Sequence, residues 1–283
     1  MIIKNAMQLK AFIKNQAKEK NISAQLVLQN YLLERLLERI SISSYKNNFI
    51  IKGGFLISSI VGLDTRATMD LDTTIKGISL TKDNIQKIFN EICTIEIQDN
   101  INFEILSTID IREKDDYPGI RVNLIAKYDS ISTPLSVDIT TGDIITPNEI
   151  SYEHMLMFEN RKINIKSYNV ETIISEKIET ILSRAEANTR PRDYYDVYIL
   201  LKLHLFKCDM KCLKNAIENT FIKRSSYELI NKRNFIINKL KESSSLLSYW
   251  NKYKNEYNYA SGINFEDICD SINNIMDYLF DKN

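Results

Sequence analysis

Two aspartates spaced two residues apart, Asp70 and Asp72, are the residues whose types and spacing best suit catalysis in this chain. The segment 69–75 alternates as a β-strand does, and positions i and i+2 of a strand project from one face. Adjacent carboxylates repel each other unless a cation lies between them. Oxygen ligands with open positions favour Mg²⁺, whose coordination is usually completed by substrate phosphates. The pair therefore predicts metal-dependent chemistry on a phosphorylated substrate, although Asp-x-Asp alone is more often a solvated strand face.

A pair of glycines, Gly53 and Gly54, precedes the aspartates. It follows the apolar, strand-like run 49–51 and opens a short apolar helix at 55–61. Backbone N–H groups at such a helix start can hold phosphate. A glycine pair alone is usually a tight turn. The order strand, glycine pair, helix, loop and Asp-x-Asp strand nevertheless indicates a site for a nucleoside triphosphate.

A third carboxylate, Asp138, lies in the predicted strand 135–141. If this strand neighbours the strand of Asp70 and Asp72, the three carboxylates converge, and Asp138 would help hold the ion that activates an attacking hydroxyl. The alternative is a strand-end aspartate that faces water. Asp143, which follows Gly142, is interpreted as a turn residue.

Four further charged residues occur in predicted helices of the second half. Lys177 and Arg184 are seven residues apart, nearly two helical turns, and so share a face. A lysine there can reach a triphosphate as a point charge, although one that extends to solvent is commoner. Asp193 and Asp196 are one turn apart near a helix start, where the helix dipole stabilises a carboxylate. Capping and local ion pairs are the alternative interpretation.

Helices and strands mix in the first half, whereas from residue 170 glycine and proline nearly vanish and helical spacing takes over. We therefore predict an α+β core at 1–165 and a helical domain at 166–283. The predicted strands are 49–51, 69–75, 102–111, 120–128 and 135–141, with a turn at 115–119. The predicted helices are 8–19, one capped by Ser23, 55–61, one starting at 81–84, 170–186, 192–206, 210–222, 226–241, 245–257 and 265–280.

The composition is that of a globular protein: 44% of the 283 residues are hydrophobic and 26% are charged. No apolar stretch has membrane-spanning length, and the first residues lack a signal-peptide core. Four scattered cysteines do not suggest a disulfide framework. We expect a cytoplasmic monomer without a membrane partner.

The net charge is zero but unevenly distributed. Residues 61–201 hold 15 basic and 24 acidic side chains, whereas residues 202–254 hold 12 and 4. An acidic centre beside a basic segment fits a metal site next to a polyanion-binding surface, although solvated helix faces give the same bias. Aromatic residues of the second half could stack on bases, although at helical spacing they are more often core; they are Tyr194, Tyr195, Tyr198, Tyr249, Trp250, Tyr253, Tyr257 and Tyr259.

Four motifs in order resemble the AbiEii/AbiGii toxin family, of the nucleotidyltransferase superfamily with a DNA polymerase β-like core. They are Lys52-Gly53-Gly54, Arg66-x-Thr68-x-Asp70-Leu71-Asp72, Lys177 near Arg184, and Arg192-Asp193-Tyr194-Tyr195-Asp196. The resemblance covers about residues 50–200. It implies a mixed sheet followed by helices. It also implies a toxin of type IV toxin–antitoxin and phage abortive-infection systems, countered by a separate DNA-binding antitoxin without a stable complex. Related toxins transfer nucleotides from NTP to the 3′ end of tRNA.

The resemblance and the residues together predict the site as follows. The expected metal ligands, for Mg²⁺ or Mn²⁺, are Asp70, Asp72 and Asp138. The expected catalytic residues are Asp70, Asp72, Lys177 and Asp193. The expected nucleotide-binding residues are Lys52, Gly53, Gly54, Ser58, Arg66, Thr68, Lys177, Arg184, Arg192 and Asp196. The residues expected to grip RNA are Lys202, Lys207, Lys211, Lys214, Lys223, Arg224, Lys232 and Arg233.

The leading hypothesis is an NTP:RNA nucleotidyltransferase, and two alternatives remain open. Phe55 follows the glycine pair where the superfamily often has a serine that touches phosphate. Ser58 or backbone N–H groups would have to replace that hydroxyl. A non-catalytic module that binds NTP or RNA is therefore the second hypothesis. Phosphotransfer to a protein hydroxyl is the third.

Overall fold

The computed structural model describes residue 3, residues 5–111 and residues 119–281. The chain divides into two compact units: Met1–Asp143 with Glu149–Ser167, and Ile144–Asn148 with Tyr168–Asn283. The boundary of two functional domains at residue 165 stays a prediction. The turn predicted at 115–119 lies, apart from Gly119, outside the described residues.

The described part of the first unit contains a mixed seven-stranded sheet with the order β3-β4-β5-β2-β1-β7-β6. The strands are β1 (Phe49–Lys52), β2 (Leu71–Ile75), β3 (Asn102–Ile111), β4 (Gly119–Tyr128), β5 (Ile131–Thr140), β6 (Ile150–Met155) and β7 (Lys162–Ser167). The helices are α1 (Ala6–Lys20), α2 (Ala24–Ile42), α3 (Gly53–Val61) and α4 (Lys82–Cys93). Two neighbouring pairs are parallel, β1 with β7 and β2 with β5. The predicted fold class, α+β with a mixed sheet, is confirmed.

The helix cap predicted at Ser23 and the helix start predicted at 81–84 are confirmed. The Ser23 hydroxyl accepts a hydrogen bond from the N–H of Leu26 at the start of α2, and Thr81 caps α4 in the same way. These side chains satisfy N–H groups that a helix start leaves without an intrahelical partner. Capping is local along the chain, which is why the sequence predicts it well.

Buried polar contacts join α2 to β6 and to the turn that follows it. Arg35 Nη1 lies 2.6 Å from Glu159 Oε1, and His154 Nε2 lies 2.9 Å from Glu34 Oε2. Glu34 also accepts a hydrogen bond from the backbone N–H of Met157 at 2.8 Å. Each buried charge therefore has a partner, as the cost of desolvation requires. The network fixes α2, from which two side chains reach the candidate site.

The strand of the aspartates is shorter than predicted. It begins at Leu71 and not at residue 69, so Asp70 lies directly before β2. The backbone carbonyls of Thr68 and Met69 accept hydrogen bonds from side chains of α2 and not from a neighbouring strand. The prediction that both aspartates lie within the strand is therefore wrong for Asp70, whereas a common face for the two carboxylates stays a prediction.

The second unit is helical. Its helices are α5 (Val170–Arg184), α6 (Pro191–His204), α7 (Met210–Lys223), α8 (Glu228–Glu242), α9 (Ser244–Glu256) and α10 (Phe265–Phe280). No end differs from the predicted one by more than two residues. Tyr194, Tyr195, Trp250 and Tyr253 are buried, as the core interpretation of the aromatic residues predicts. Across the described residues, none of the helices combines the length and the apolar character needed to cross a membrane.

Candidate active site

Four charged residues form one row across four neighbouring strands. Lys52 of β1 is the register partner of Asp72 of β2. Asp72 is in turn the register partner of Asp138 of β5, and Asp138 that of Arg121 of β4. Residues directly opposite each other in paired strands project from the same face. The condition set for Asp138, a strand next to that of Asp72, is thus met, and two carboxylates lie side by side between two cations.

The glycine turn at the end of β1 packs directly against Asp72. Gly53 has φ +64°, and a Cβ at this position would stand 2.1 Å from Asp72 Oδ2. Only glycine fits there, because any side chain would meet the carboxylate and because L-residues rarely adopt this φ. The N–H of Gly54, the second residue of α3, donates to Asp72 Oδ2 at 3.4 Å. The turn predicted to hold phosphate therefore borders the carboxylate predicted to hold metal.

The loop before β2 packs against the same turn. A Cβ on Gly54 would lie 2.7 Å from Thr68 Oγ1 and 3.1 Å from Arg66 Nη2. Both side chains are buried, and Arg66 Nη1 donates to the carbonyl of Ala67. Arg66 and Thr68 thus pack against the second glycine of the turn.

Asp70 is positioned through the backbone of this loop. Asn30 Nδ2 donates to the carbonyl of Thr68 at 2.7 Å, and Gln29 Nε2 donates to that of Met69 at 3.0 Å. Thr68 Oγ1 donates to the carbonyl of Asp70 at 3.4 Å. Sequence reasoning missed these two α2 side chains, whose partners lie 38 and 40 residues further along the chain.

Arg121 connects the carboxylates electrostatically. Its Nε and Nη2 donate to Asp138 Oδ1 and Oδ2 at 2.6 and 2.8 Å. The pKa of Arg121 is raised, first by these hydrogen bonds, against the opposing effect of burial, and further by the charges of Asp138, Asp70 and Asp72. The guanidinium therefore lies in the field of all three carboxylates and is hydrogen-bonded to Asp138. Arg121 was not predicted, but its register with Asp138 follows from the β4–β5 hairpin.

Asp138, one of the expected metal ligands, forms an ion pair with Arg121, and its role at a metal stays a prediction. Both oxygens of Asp138 are bound by the guanidinium, so they are already satisfied by a cation. Within the described ranges, no group of three or more His, Cys, Asp or Glu residues is placed to hold a metal ion. Asp70 and Asp72 are half-buried, and their carboxylate oxygens are hard ligands. The pair fits a Mg²⁺ ion that takes its remaining ligands from substrate phosphates.

Asp143 is a buried ion-pair residue, which corrects its interpretation as a turn residue. Its Oδ2 lies 2.5 Å from Lys52 Nζ and accepts from Thr140 Oγ1 at 2.8 Å. Burial raises its pKa, but the charge and hydrogen bond of Lys52, with hydrogen bonds from Thr140 and Thr74, outweigh burial and lower it. The pair fixes the Lys52 side chain at the strand end that precedes the glycine turn.

Ser58 lies in the interior of α3. It is buried, and its hydroxyl donates to the carbonyl of Phe55 within the same helix at 2.9 Å. Phe55, at the position where a phosphate-binding serine was expected, is 3% exposed. The Ser58 hydroxyl is thus engaged within α3, and the phosphate contact expected of it stays a prediction.

The second unit contains the other predicted catalytic residues. Lys177 of α5 places Nζ 2.7 Å from Asp193 Oδ1 and 3.0 Å from Asp196 Oδ2 of α6. Both aspartates are essentially inaccessible to solvent, and the lysine side chain is 16% exposed. Arg190 Nε lies 3.5 Å from Asp193 Oδ2. The charged residues of the α5 and α6 motifs thus form one buried cluster. A lysine side chain is flexible by itself, and here two carboxylates hold it in one position.

The remaining predicted residues of this unit are placed differently. Arg184 ends α5 and is exposed, and none of its described contacts joins it to the Lys177 cluster. Arg192 is exposed in the first turn of α6. Arg224 pairs with Glu176 and Glu179, and Arg233 pairs with Asp277 and Asp281. These last two arginines are neutralised locally, so we do not retain them in an RNA-binding surface.

Comparisons with known proteins identify the fold and the family. The fold resembles that of two crystal structures from Helicobacter pylori. One, described as a "putative nucleotidyltransferase", has a TM-score of 0.52 at 13% identity and covers 92% of this chain and 97% of that one. The other, JHP933, has a TM-score of 0.51 at 13% identity and covers 92% and 94%. At this identity the likeness shows the fold alone. A search of curated proteins gives no match.

The family model described as nucleotidyl transferase AbiEii toxin, type IV TA system, matches residues 35–270. The fold and the family are thus those of a nucleotidyltransferase. The chain belongs to the AbiEii family of type IV toxin–antitoxin systems, as the sequence motifs predict.

Proposed function

We propose that this chain is a Mg²⁺-dependent toxin that transfers a nucleotide from a nucleoside triphosphate to the 3′ end of RNA, the acceptor end of tRNA being the expected target. One observation carries the proposal: the Asp72 carboxylate lies against the glycine turn at the start of α3, with Asp70 in the same electrostatic cluster. A cation bound by these carboxylates would lie next to phosphate oxygens bound at the turn. Family membership supports the same class of reaction.

The first unit would hold the triphosphate by backbone and charge. The N–H groups at the start of α3 point along a helix whose N-terminus favours anions. Bound at Asp70 and Asp72, Mg²⁺ or Mn²⁺ supplies positive charge that offsets the charge of the transferring phosphoryl group. Lys52, fixed by Asp143, adds a cation at the same strand end. Asp138 is paired with Arg121, so we expect it to neutralise that guanidinium and not to bind the ion.

The second unit would supply Lys177 as the cation for the leaving pyrophosphate. Asp193 and Asp196 act as positioning residues, because they hold the ammonium group without themselves reaching solvent. The reaction is an in-line displacement. The RNA 3′ oxygen forms a bond to the α-phosphorus, the bond to the pyrophosphate oxygen breaks, and the hydroxyl proton passes to solvent or a base. Orientation and charge stabilisation provide most of the rate enhancement.

The partners follow from the same proposal. A toxin of this type is countered by a separate DNA-binding antitoxin, which we expect to form no stable complex with it. We expect the toxin to be a cytoplasmic monomer that acts in abortive infection of phage-infected cells.

The experiment is a transfer assay with purified protein, Mg²⁺, total tRNA and each of the four NTPs labelled at the α-phosphorus. The proposal predicts label in RNA with at least one NTP, and none with the Asp72→Asn variant. Label in protein from γ-labelled but not α-labelled NTP would show protein phosphotransfer instead. Binding of NTP and tRNA without any transfer would support the non-catalytic module and overturn the proposal.

A further inference from the structure

A cavity of about 460 Å³ in the second unit is not accounted for by the catalytic cluster. It lies between the start of α6 and one side of α9. Its volume is within the range of pockets that bind small organic ligands. Its lining residues are Thr189, Arg190, Pro191, Arg192, Tyr249, Lys252, Tyr253, Glu256 and Tyr257; we call it the α6–α9 pocket.

The charge of the α6–α9 pocket is positive. Arg190, Arg192 and Lys252 line it, against the single carboxylate Glu256. Arg190 also pairs with Asp193, since its Nε lies 3.5 Å from Asp193 Oδ2. Among the described residues, neither Arg192 nor Lys252 forms an ion pair. Pro191 at the first position of α6 adds the N-terminal end of a 14-residue helix. The pocket therefore favours an anionic ligand of low charge.

Aromatic rings form the other wall. The ring centroids of Tyr253 and Tyr257 are 4.8 Å apart, and Tyr257 stacks on Tyr259 at 5.3 Å with an interplanar angle of 26°. Tyr259 in turn packs on the buried Tyr195 at 4.9 Å, so the wall is anchored in the core. Tyr249, 40% exposed, offers a further ring at the rim. Rigid aromatic faces of this kind stack on bases regardless of sequence.

Arg192 and Glu256 meet at Tyr257. Burial and a hydrogen bond with Glu256 raise the pKa of the Tyr257 hydroxyl, and the positive charge of Arg192 opposes them. Arg192 lines the same pocket as Tyr253 and Tyr257, so its guanidinium can contact phosphate beside a stacked base. The Glu256 carboxylate provides an acceptor, such as a ribose hydroxyl requires.

We propose that the α6–α9 pocket binds the single-stranded 3′-terminal nucleotides of the acceptor RNA, with the base on the tyrosine wall and the phosphodiester on Arg192 and Lys252. This inference rests on the proposed function. A triphosphate is a poorer match, because it carries several negative charges and usually a metal ion. The pocket has three cations, of which Arg190 also pairs with Asp193, and one carboxylate. Each phosphodiester carries one charge, which suits this balance.

The test measures RNA binding without turnover. A fluorescein-labelled RNA hairpin with a four-nucleotide single-stranded 3′ end is titrated with protein by fluorescence anisotropy, in the absence of NTP and divalent metal. Lys252→Glu and Tyr249→Ala alter exposed side chains, so both variants should fold. Each should raise the Kd for this hairpin about tenfold and leave the Kd for a blunt hairpin unchanged.

Lys254→Glu is the matched control, because it makes the same charge change on the same helix at a residue that does not line the pocket. Equal weakening by Lys252→Glu and Lys254→Glu, or unchanged binding by both pocket variants, would overturn the proposal. Weaker binding of a non-hydrolysable NTP with unchanged RNA binding would assign the pocket to the mononucleotide and would also overturn it. Failure of the wild-type transfer assay, with pocket-dependent RNA binding intact, would reject the proposed function and not this site.

Discussion

The carboxylate of Asp72 occupies the space that a side chain on Gly53 would need, since a Cβ there would stand 2.1 Å from Asp72 Oδ2. The glycine turn and the aspartate proposed to bind metal are therefore in direct contact. Sequence spacing alone treats them as two motifs separated by 17 residues. Their contact explains why a turn with a positive φ stands at this point of the chain.

Replacement of Gly53 should impair transfer more than stability. In Gly53→Ala the new methyl group would displace the Asp72 carboxylate, and misplacement by about 1 Å can lower the rate about 100-fold. The positive φ would add about 1–2 kcal/mol of strain. The turnover number and the midpoint of thermal unfolding measure the two effects.

Gly262→Ala is the matched control for that substitution, because a Cβ at residue 262 would have nothing within 4 Å. It should retain the activity and stability of the wild type. Near-wild-type transfer by Gly53→Ala would show that the position of Asp72 is not critical.

Removal of the Lys177 charge should destabilise the protein strongly. Lys177→Met would remove the ammonium group that lies within 3.0 Å of two buried carboxylates, Asp193 and Asp196, and breaking a buried ion pair by removing one partner costs about 3–5 kcal/mol. Adding Asp193→Asn and Asp196→Asn to the same variant should recover most of this stability but not the transfer activity. Urea unfolding monitored by circular dichroism gives the free energies.

The exposed residue Lys232 provides a control for the Lys177 series, since Lys232→Met removes a charge from the surface of α8. Its free energy of unfolding should change by less than about 0.5 kcal/mol. If Lys177→Met were as stable as Lys232→Met, the cluster would not be the charge-balanced unit described above.

The pair Lys52–Asp143 should make stability depend on acidic pH. The pKa of Asp143 is lowered in the folded protein from its ordinary value of 3.8. Its contribution to stability is therefore complete above that value and is lost as the pH falls through the lower folded pKa. Asp143→Asn should reduce the free energy of unfolding by about 3 kcal/mol at pH 7.

The difference between wild type and Asp143→Asn should stay constant between about pH 7 and pH 5 and shrink below about pH 4. Chemical unfolding at each pH measures it. A difference that is unchanged at pH 3, or absent at pH 7, would contradict the ion pair as the cause.

Release of Asp138 should strengthen metal binding. Arg121→Met removes a cation that lies in the field of Asp70, Asp72 and Asp138. Loss of one nearby positive charge is worth about 1 kcal/mol, or roughly fivefold in affinity for Mn²⁺. Lys127→Met, on the same strand but paired with exposed Glu104, should leave the affinity unchanged. Weaker Mn²⁺ binding by Arg121→Met than by wild type would contradict this account of the row.

Local patterns predicted most of the elements, because capping and periodicity act over a few residues. The β7 segment was missed although Ile163 and Ile165 alternate in it with polar residues, a signal that a stricter search for period two would find. The β6 segment is mostly exposed, so its pattern carries little information. The register between strands and the long-range partners of side chains could not be predicted from such local patterns.

Asp143 shows why the rest of the site could not be predicted. Its neighbour Gly142 suggests a turn, whereas its partner Lys52 lies 91 residues away and is reached only through the sheet order β5-β2-β1. The loop before Asp70 is likewise held by hydrogen bonds from Asn30 and Gln29 of α2. Both features arise from tertiary contacts that leave no local sequence pattern.

The central claim is that Asp70 and Asp72 bind a divalent ion beside a bound triphosphate, and Mn²⁺ titration followed by electron paramagnetic resonance tests it most directly. The titration compares wild type, Asp72→Asn and Asp129→Asn with a non-hydrolysable NTP analogue present. Asp129 is an exposed turn residue with φ +51°, which asparagine tolerates, so it is a matched carboxylate control. The account predicts that wild type and Asp129→Asn bind Mn²⁺ equally, and that Asp72→Asn binds it at least about tenfold more weakly. Equal binding by a folded Asp72→Asn variant would contradict the account.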